Sequence, residues 1–369
     1  SLGFEQLVTE WCIYVRHGKH GPIYLLIYVD DMLVAGPTQA EVDDVKGALK
    51  QQWRMTDLGP VAWVLGVSIE RREEGALLSQ SAYIKSLAKK FGQENGRKTY
   101  TPLPPDLPTR EGEPFPDRQL YHTIVGMLLW VGIATRGDVA FAAGYLGRHS
   151  AAPTYEHWDM ALRVVRYLDT THDVGLYFAK NTVAKHLEGW SDADYAGDRD
   201  TRRSTTGYAF KVFGALVSWG ARRQDIVATS TVHAEYVAMA ESARENAYLR
   251  TLLSDLHHPV PGPTTLHGDN EGALTLVTKP AFHQRTKHIE SAWAPDSPPR
   301  SVPSRGIGSW PRTGRSGRQG RPARGSRREA GNAMRGHELD EEQREEDGVV
   351  SGREQGEHAS GSTHISWAR

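Results

Sequence analysis

The sequence predicts an α+β unit followed by a unit of α/β type, a mixed sheet with flanking helices, and then a tail without regular structure. Three observations carry this reading. Short apolar strands cluster before residue 75, the order strand–strand–strand–helix–strand–helix runs from 186 to 278, and the composition breaks after Glu290. A chain of 369 residues exceeds what one hydrophobic core organises, so two or three domains are expected.

The segment 23–36, IYLLIYVDDMLVAG, reads as two apolar strands joined at Asp30-Asp31, and 11–16 adds a third strand before the HGKHG turn. A helix over 38–52 begins at Thr38, a strand covers 61–70, and a helix covers 79–91. Between 99 and 117, six prolines forbid regular structure. Three short helices follow at 118–134, 137–148 and 154–169, with Trp130, Phe141, Tyr145, Trp158 and Tyr167 available for packing. Strands are then expected at 187–191, 206–213, 215–219 and 264–268, and helices at 231–256 and 270–278. The domain boundaries read from this order are 1–75, 76–180, 186–291 and 292–369.

Composition bounds the chemistry. Cys12 is the single cysteine, which rules out an intrachain disulfide and any cysteine-based metal cluster and fits a reducing, intracellular setting, cytoplasmic or nuclear. No apolar run approaches the length of a membrane span, and no basic-then-apolar leader opens the sequence, so a soluble chain is expected. The net charge of −1 does not argue for a nucleic-acid partner; only local clusters of Lys and Arg can.

Residues 291–369 hold 13 Arg and no Lys, whereas 1–290 hold 19 Arg and 12 Lys. Within the tail, 291–328 carries nine Arg against Asp296 alone, and 329–357 carries ten acids against three Arg. Such a segment is expected to be disordered across 292–369. An arginine block of this kind either binds nucleic acid or arises from a shifted reading frame.

Two groups of carboxylates stand out. Asp30 and Asp31 concentrate negative charge at a hairpin turn between buried strands, where a divalent cation would relieve their repulsion; an ordinary Asp-containing turn is the plainer account. The second group is spread over separate elements. Asp192 and Asp194 close the strand at 187–191 and point to one side by strand periodicity, and Glu235 lies near the start of a helix N-capped by Ser230. Asp269 stands where a strand ends and a helix begins. Taken singly, these acids are explained as a turn former, a surface acid and a helix cap.

Tyr28-Val29-Asp30-Asp31-Met32-Leu33-Val34-Ala35-Gly36 resembles the polymerase motif of copia-type retrotransposon reverse transcriptases. Thr56-Asp57-Leu58-Gly59 and Leu65-Gly66-Val67-Ser68-Ile69 resemble the family's next stretches, and Tyr121-His122 through Leu168 its thumb-side helices. Ser191–Gly197, Arg203–Tyr208, Ala234-Glu235-Tyr236, Asp269-Asn270 and Arg285–Glu290 resemble its ribonuclease H domain. The likeness covers roughly residues 1–290 and implies a Pol polyprotein fragment: a truncated reverse transcriptase palm, a thumb- or connection-like helical region and a ribonuclease H-like domain.

The resemblance further implies that Asp192, Glu235 and Asp269, with Glu290 as a weaker fourth ligand, hold two Mg²⁺ ions, or Mn²⁺ in their place, and cut the RNA strand of an RNA–DNA hybrid. It makes Asp30 and Asp31 two of three polymerase metal ligands, the third lying on an earlier strand, so polymerase activity is expected to be lost. Arg202, Arg203, Arg222, Arg223, Lys287 and His288 would line a hybrid-binding face by their charge; solvated strand ends account for them equally well. His233 stands where the family usually has a second acid. The expected partners are the hybrid and the rest of the Pol polyprotein. Because Ser291–Pro295 leads straight into the low-complexity tail, a clipped domain with weak or absent hydrolysis is expected, and the competing reading is a catalytically silent remnant or nucleic-acid-binding module.

Overall fold

The computed structural model describes residues 2–94, 96–180 and 186–278 and the backbone of 364–368. The first part contains β1 (Glu5–Gln6), β2 (Ile13–His17), β3 (Pro22–Tyr28), β4 (Asp31–Gly36), α1 (Gln39–Gln52) and β5 (Asp57–Pro60). In β3 and β4 the branched and apolar side chains of Ile23, Leu25 and Val34 face inward. They pack against Val42, Val45 and Leu49, one stripe of α1, to make a small closed core. Thr38 caps α1 by accepting from the Glu41 backbone N–H, as its position before the apolar stripe predicts.

The strand expected over 61–70 is two strands, β6 (Trp63–Val64) and β7 (Val67–Arg72), because Leu65 and Gly66 both adopt positive φ, at 49° and 76°, and turn the chain into a hairpin. β7 continues through a second hairpin into β8 (Gly75–Ser79), and β9 (Leu176–Ala179) returns to complete a sheet of order β6-β7-β8-β9. Between them lie α2 (Ser81–Lys90), α3 (Arg118–Ala134), α4 (Ala140–Arg148) and α5 (Tyr155–Thr170). The helix expected at 137–148 opens with a 3₁₀ turn at Gly137–Val139 before α4 begins. The helices share one apolar core, with Ile84, Tyr121, Leu128, Leu146, Val164 and Leu168 fully buried. The proline-rich stretch has no strand or helix; a single bridge between Pro114 and Thr154 ties it to the start of α5.

The third sheet positions the acids. It contains β10 (Leu187–Asp194), β11 (Thr205–Val212), β12 (Ala215–Arg223) and β13 (Thr265–His267) in the order β12-β11-β10-β13, with β13 parallel to β10 and the other pairs antiparallel. α6 (Thr231–Asp255) lies across β10 and β11, and α7 (Glu271–Thr278) follows β13. Phe210 is fully buried and sits directly opposite Gly189, where an added Cβ would collide with its ring. Tyr208 lies over Gly220 in the same way, its ring 2.7 Å from where a Cβ would stand. Each glycine gives an aromatic ring room to lie across its neighbouring strand, which fixes register.

Several contacts join this sheet and α6 to the rest, two of them by short hydrogen bonds to backbone carbonyls. The Trp219 indole donates to the Gly132 carbonyl at 2.7 Å, and the Tyr24 hydroxyl donates to the Leu256 carbonyl at the end of α6, also at 2.7 Å. The expectation of an irregular tail over 292–369 fails at its last residues: β14 (His364–Ala368) pairs antiparallel with both β4 and β5, completing a first sheet of order β1-β2-β3-β4-β14-β5. A strand edge presents unpaired N–H and C=O groups, and the backbone of β14 satisfies two such edges at once. The remainder of that tail lies outside the described residues. Among the described residues no helix is long and apolar enough to cross a membrane.

Candidate metal centre

Alternation along β10 sets which side chains are free to act. Leu187 and Ser191 point into the core under α6, whereas Glu188, Trp190, Asp192 and Asp194 take the opposite face. β10 runs to Asp194, beyond the expected 191, so Asp192 sits within a paired strand, opposite Gly207, rather than at a strand end. Pairing with β11 makes the backbone beneath its carboxylate rigid.

Glu235 arrives from the other side. Ser230 caps α6 by accepting from the His233 N–H, and buried Gln224 donates to both the Ala234 carbonyl (2.9 Å) and Thr206 Oγ1 (3.1 Å), pinning the first turn of the helix to β11. Glu235 is 7% exposed, and its Oε2 has no hydrogen-bond partner. Asp269 follows β13. The helix-cap account of this residue does not hold, since Asn270 Oδ1 accepts from the Ala273 N–H (3.0 Å) and does that work. Asp192 Oδ1 accepts from the neighbouring Ala193 N–H at 2.8 Å.

The three carboxylates converge: one oxygen from each of Asp192, Glu235 and Asp269 lies within 4.8 Å of the others. Burial pushes the Glu235 carboxyl up, the charges of Asp192 and Asp269 push it further, and the Ala193 N–H only partly opposes them, leaving it at about 7. Asp194 is not in this trio. Its pKa is raised by burial and by Asp192, and its carboxylate occupies the space where a Cβ of Gly197 would stand. A buried, unpartnered carboxylate oxygen facing two more acids is a site whose charge and hydrogen bonding are unsatisfied by the protein alone. A hard divalent cation fits such a donor set.

Beside the acids, a groove of about 470 Å³ is lined by Trp190, Asp192, Gly207, Ala209, His267 and Asp269 among others. The Trp190 and His267 rings stack at 5.3 Å and 20°, His267 Nε2 meets Glu188 Oε1 at 2.9 Å, and Lys211 Nζ stands 5.3 Å over the Trp190 ring. Sequence reasoning missed Trp190, His267 and the positioning residue Gln224. Period-two alternation offered a signal for the first two, since each stands two residues before an acid of the trio.

Of the basic residues expected on a nucleic-acid face, Arg223 is taken by Asp198 at 2.8 Å, which Arg148 also approaches at 3.4 Å. Arg222 is 3.9 Å from Asp225, exposed Arg202 adopts φ 55°, and Arg203 is half-buried. Asp30 and Asp31 stand at the tip of the β3–β4 hairpin beside Val29, which has φ 54°; among the described residues no third acid, His or Cys joins them in a metal-holding group. Lys287, His288 and Glu290 lie outside the described residues.

Comparison with known proteins decides the family. A model described as reverse transcriptase (RNA-dependent DNA polymerase) matches residues 1–105. The chain is 35% identical over 304 residues to the retrovirus-related Pol polyprotein from transposon TNT 1-94 of Nicotiana tabacum, covering 79% of this chain and 22% of that one. It is 32% identical over 292 residues to the Pol polyprotein from transposon RE2 of Arabidopsis thaliana, covering 78% and 20%. A putative transposon Ty5-1 protein of Saccharomyces cerevisiae is 32% identical over 249 residues, covering 66% of this chain and 80% of the yeast protein. The chain belongs to the copia-type retrotransposon Pol polyproteins.

This Pol chain spans about a fifth of the length of the two plant polyproteins. Its reverse transcriptase match covers β1 to β8 with α1 and α2, while β14 and the acid trio lie beyond it. No solved structure matches the chain.

Proposed function

We propose that the sheet carrying Asp192, Glu235 and Asp269 is a ribonuclease H-type nuclease that hydrolyses the RNA strand of an RNA–DNA hybrid with bound Mg²⁺. The observation that carries this is the convergence of three carboxylates from β10, α6 and the β13–α7 turn, one of them buried with an unpartnered oxygen. The order of the elements and the likeness to Pol polyproteins support it.

Asp192, Glu235 and Asp269 would hold the ions. Bound divalent ions in such a site activate a water and stabilise the leaving oxygen of a phosphodiester. The protein's own contribution is placement. Paired β10 and the pinned first turn of α6 hold two carboxylates rigid against their mutual repulsion, and Asn270 frees Asp269 by capping α7 in its stead. Small residues at Gly207 and Ala209 leave the groove open beside the acids, so that a sugar–phosphate backbone reaches them, with Trp190 and His267 as its aromatic wall.

Incubation of the full chain with a 5′-labelled RNA–DNA hybrid and Mg²⁺ is expected to yield RNA fragments with 5′-phosphate ends, and Asp192→Asn to abolish them. Absence of cleavage at high protein concentration would leave the silent, nucleic-acid-binding reading. For the reverse transcriptase part, we infer that this chain alone does not extend a primer, because no third described ligand joins Asp30 and Asp31. Template-directed extension by the isolated chain would overturn that inference.

A further inference from the structure

The loop after α2 and one face of α5 enclose a second cavity, of about 290 Å³, lined by Arg97, Lys98, Thr99, Tyr100, Arg163 and Arg166. Four of its six lining residues are cations and none is an acid. Among the described residues, none of the four makes an ion pair with a carboxylate. Like charges gathered without counterions repel one another, a cost that an entering anion removes.

The cavity is built rather than incidental. The Arg163 guanidinium donates to Thr101 Oγ1 at 2.7 Å, Arg166 donates to Gln93 Oε1 at 2.7 Å, and the Thr99 N–H donates to Thr170 Oγ1 at 3.2 Å. These bonds tie the loop to α5 at three points and fix both arginine side chains, while Arg163 Nε, buried, still lacks an acceptor. Arg97 and Lys98 are exposed at the mouth, and Tyr100 is 73% exposed beside them.

We propose that this cavity is a phosphate-binding site that seats the backbone of a single nucleic-acid strand, with Tyr100 offering its ring to an adjacent base. Oriented guanidinium groups match phosphate oxygens, and a base stacks on an aromatic face whatever its identity. The site shares no residue with the acid trio, so it stands whether or not that trio cuts RNA. A single strand is favoured over a duplex because a base already stacked within a duplex is unavailable to an exposed tyrosine.

The test is fluorescence anisotropy of the full chain with a labelled single-stranded oligonucleotide in EDTA, at several salt concentrations. The paired substitutions Arg97→Glu and Lys98→Glu, both at exposed positions, are expected to weaken binding by about tenfold or more. They should also flatten the log–log salt dependence by about 0.7 for each phosphate that the protein no longer neutralises. Tyr100→Ala should weaken binding with no change in that slope. Unchanged affinity and slope in the charge-reversed protein, with its unfolding midpoint intact, would overturn the proposal. So would inorganic triphosphate binding lost by the same substitutions while oligonucleotide binding stays whole, which would mark a site for free phosphates instead.

Discussion

Replacing Glu235 by glutamine should stabilise the metal-free protein at pH 8 while removing its response to Mg²⁺. The carboxyl is buried and sits near pH 7 instead of 4.5, which at about 1.36 kcal/mol per pH unit is a cost of about 3 kcal/mol for ionising it in the folded chain. A single repulsion at 4.8 Å is worth about 3 kcal/mol at an effective dielectric of about 20, so burial and one such neighbour suffice to explain the shift. Because the folded state binds this proton more tightly than the unfolded one, the contribution is favourable below about pH 4.5. It is lost as pH rises towards 7. Glutamine keeps the volume and drops the charge, but its amide needs partners in a site where Oε2 has none, at about 1 kcal/mol. The net expectation is a gain of about 2 kcal/mol at pH 8 in EDTA, vanishing by about pH 5, read from urea unfolding at both values. Saturating Mg²⁺ should raise the parent by about 2.7 kcal/mol at 100 times its Kd and leave the variant unmoved. A variant no more stable than its parent at pH 8, or a difference independent of pH, would refute the electrostatic account of the trio.

Three further outcomes follow from the same structure. Asp269→Asn should abolish Mg²⁺-induced stabilisation with little loss of metal-free stability, whereas Asn270→Ala should cost about 1 kcal/mol through the lost α7 cap and leave metal binding in place, as thermal unfolding with and without Mg²⁺ would show. Gly189→Ala drives a methyl into the buried Phe210 ring and should cost about 1–3 kcal/mol in urea unfolding. Burial alone would raise the Asp198 carboxyl, but Arg223 and Thr201 hold it down at about 2, a depressed acid whose stabilisation is present above about pH 4 and is lost as pH falls towards 2. An acid titration of Asp198→Asn should therefore lack about 2 kcal/mol of the parent's loss over that window.

Much of this fold is legible where one physical signal dominates. Thr38 before an apolar stripe marks α1, and the branched run at 23–36 marks a hairpin around Asp30. The acids of the trio were legible as residue types in the right element order, but not their proximity, which depends on Gln224 fastening α6 to β11 across 18 residues of sequence. β8 and β9 escaped notice because GALLS and LYFA are five and four residues long and carry no clear alternation. The single strand expected over 61–70 failed because Leu65 adopts positive φ, a conformation its side chain gives no hint of. β14 pairs with strands some 300 residues earlier, and nothing local in a polar, Gly-rich tail points there.

α6 carries Glu235 near one end and is fastened to the first sheet at the other, where Tyr24 bonds the Leu256 carbonyl and the Thr9 backbone N–H donates to Asp255 at 3.1 Å. Its 25 residues make a lever about 37 Å long. One continuous helix therefore spans from the first sheet, at Tyr24, to the acid trio, where Gln224 holds its opening turn against β11.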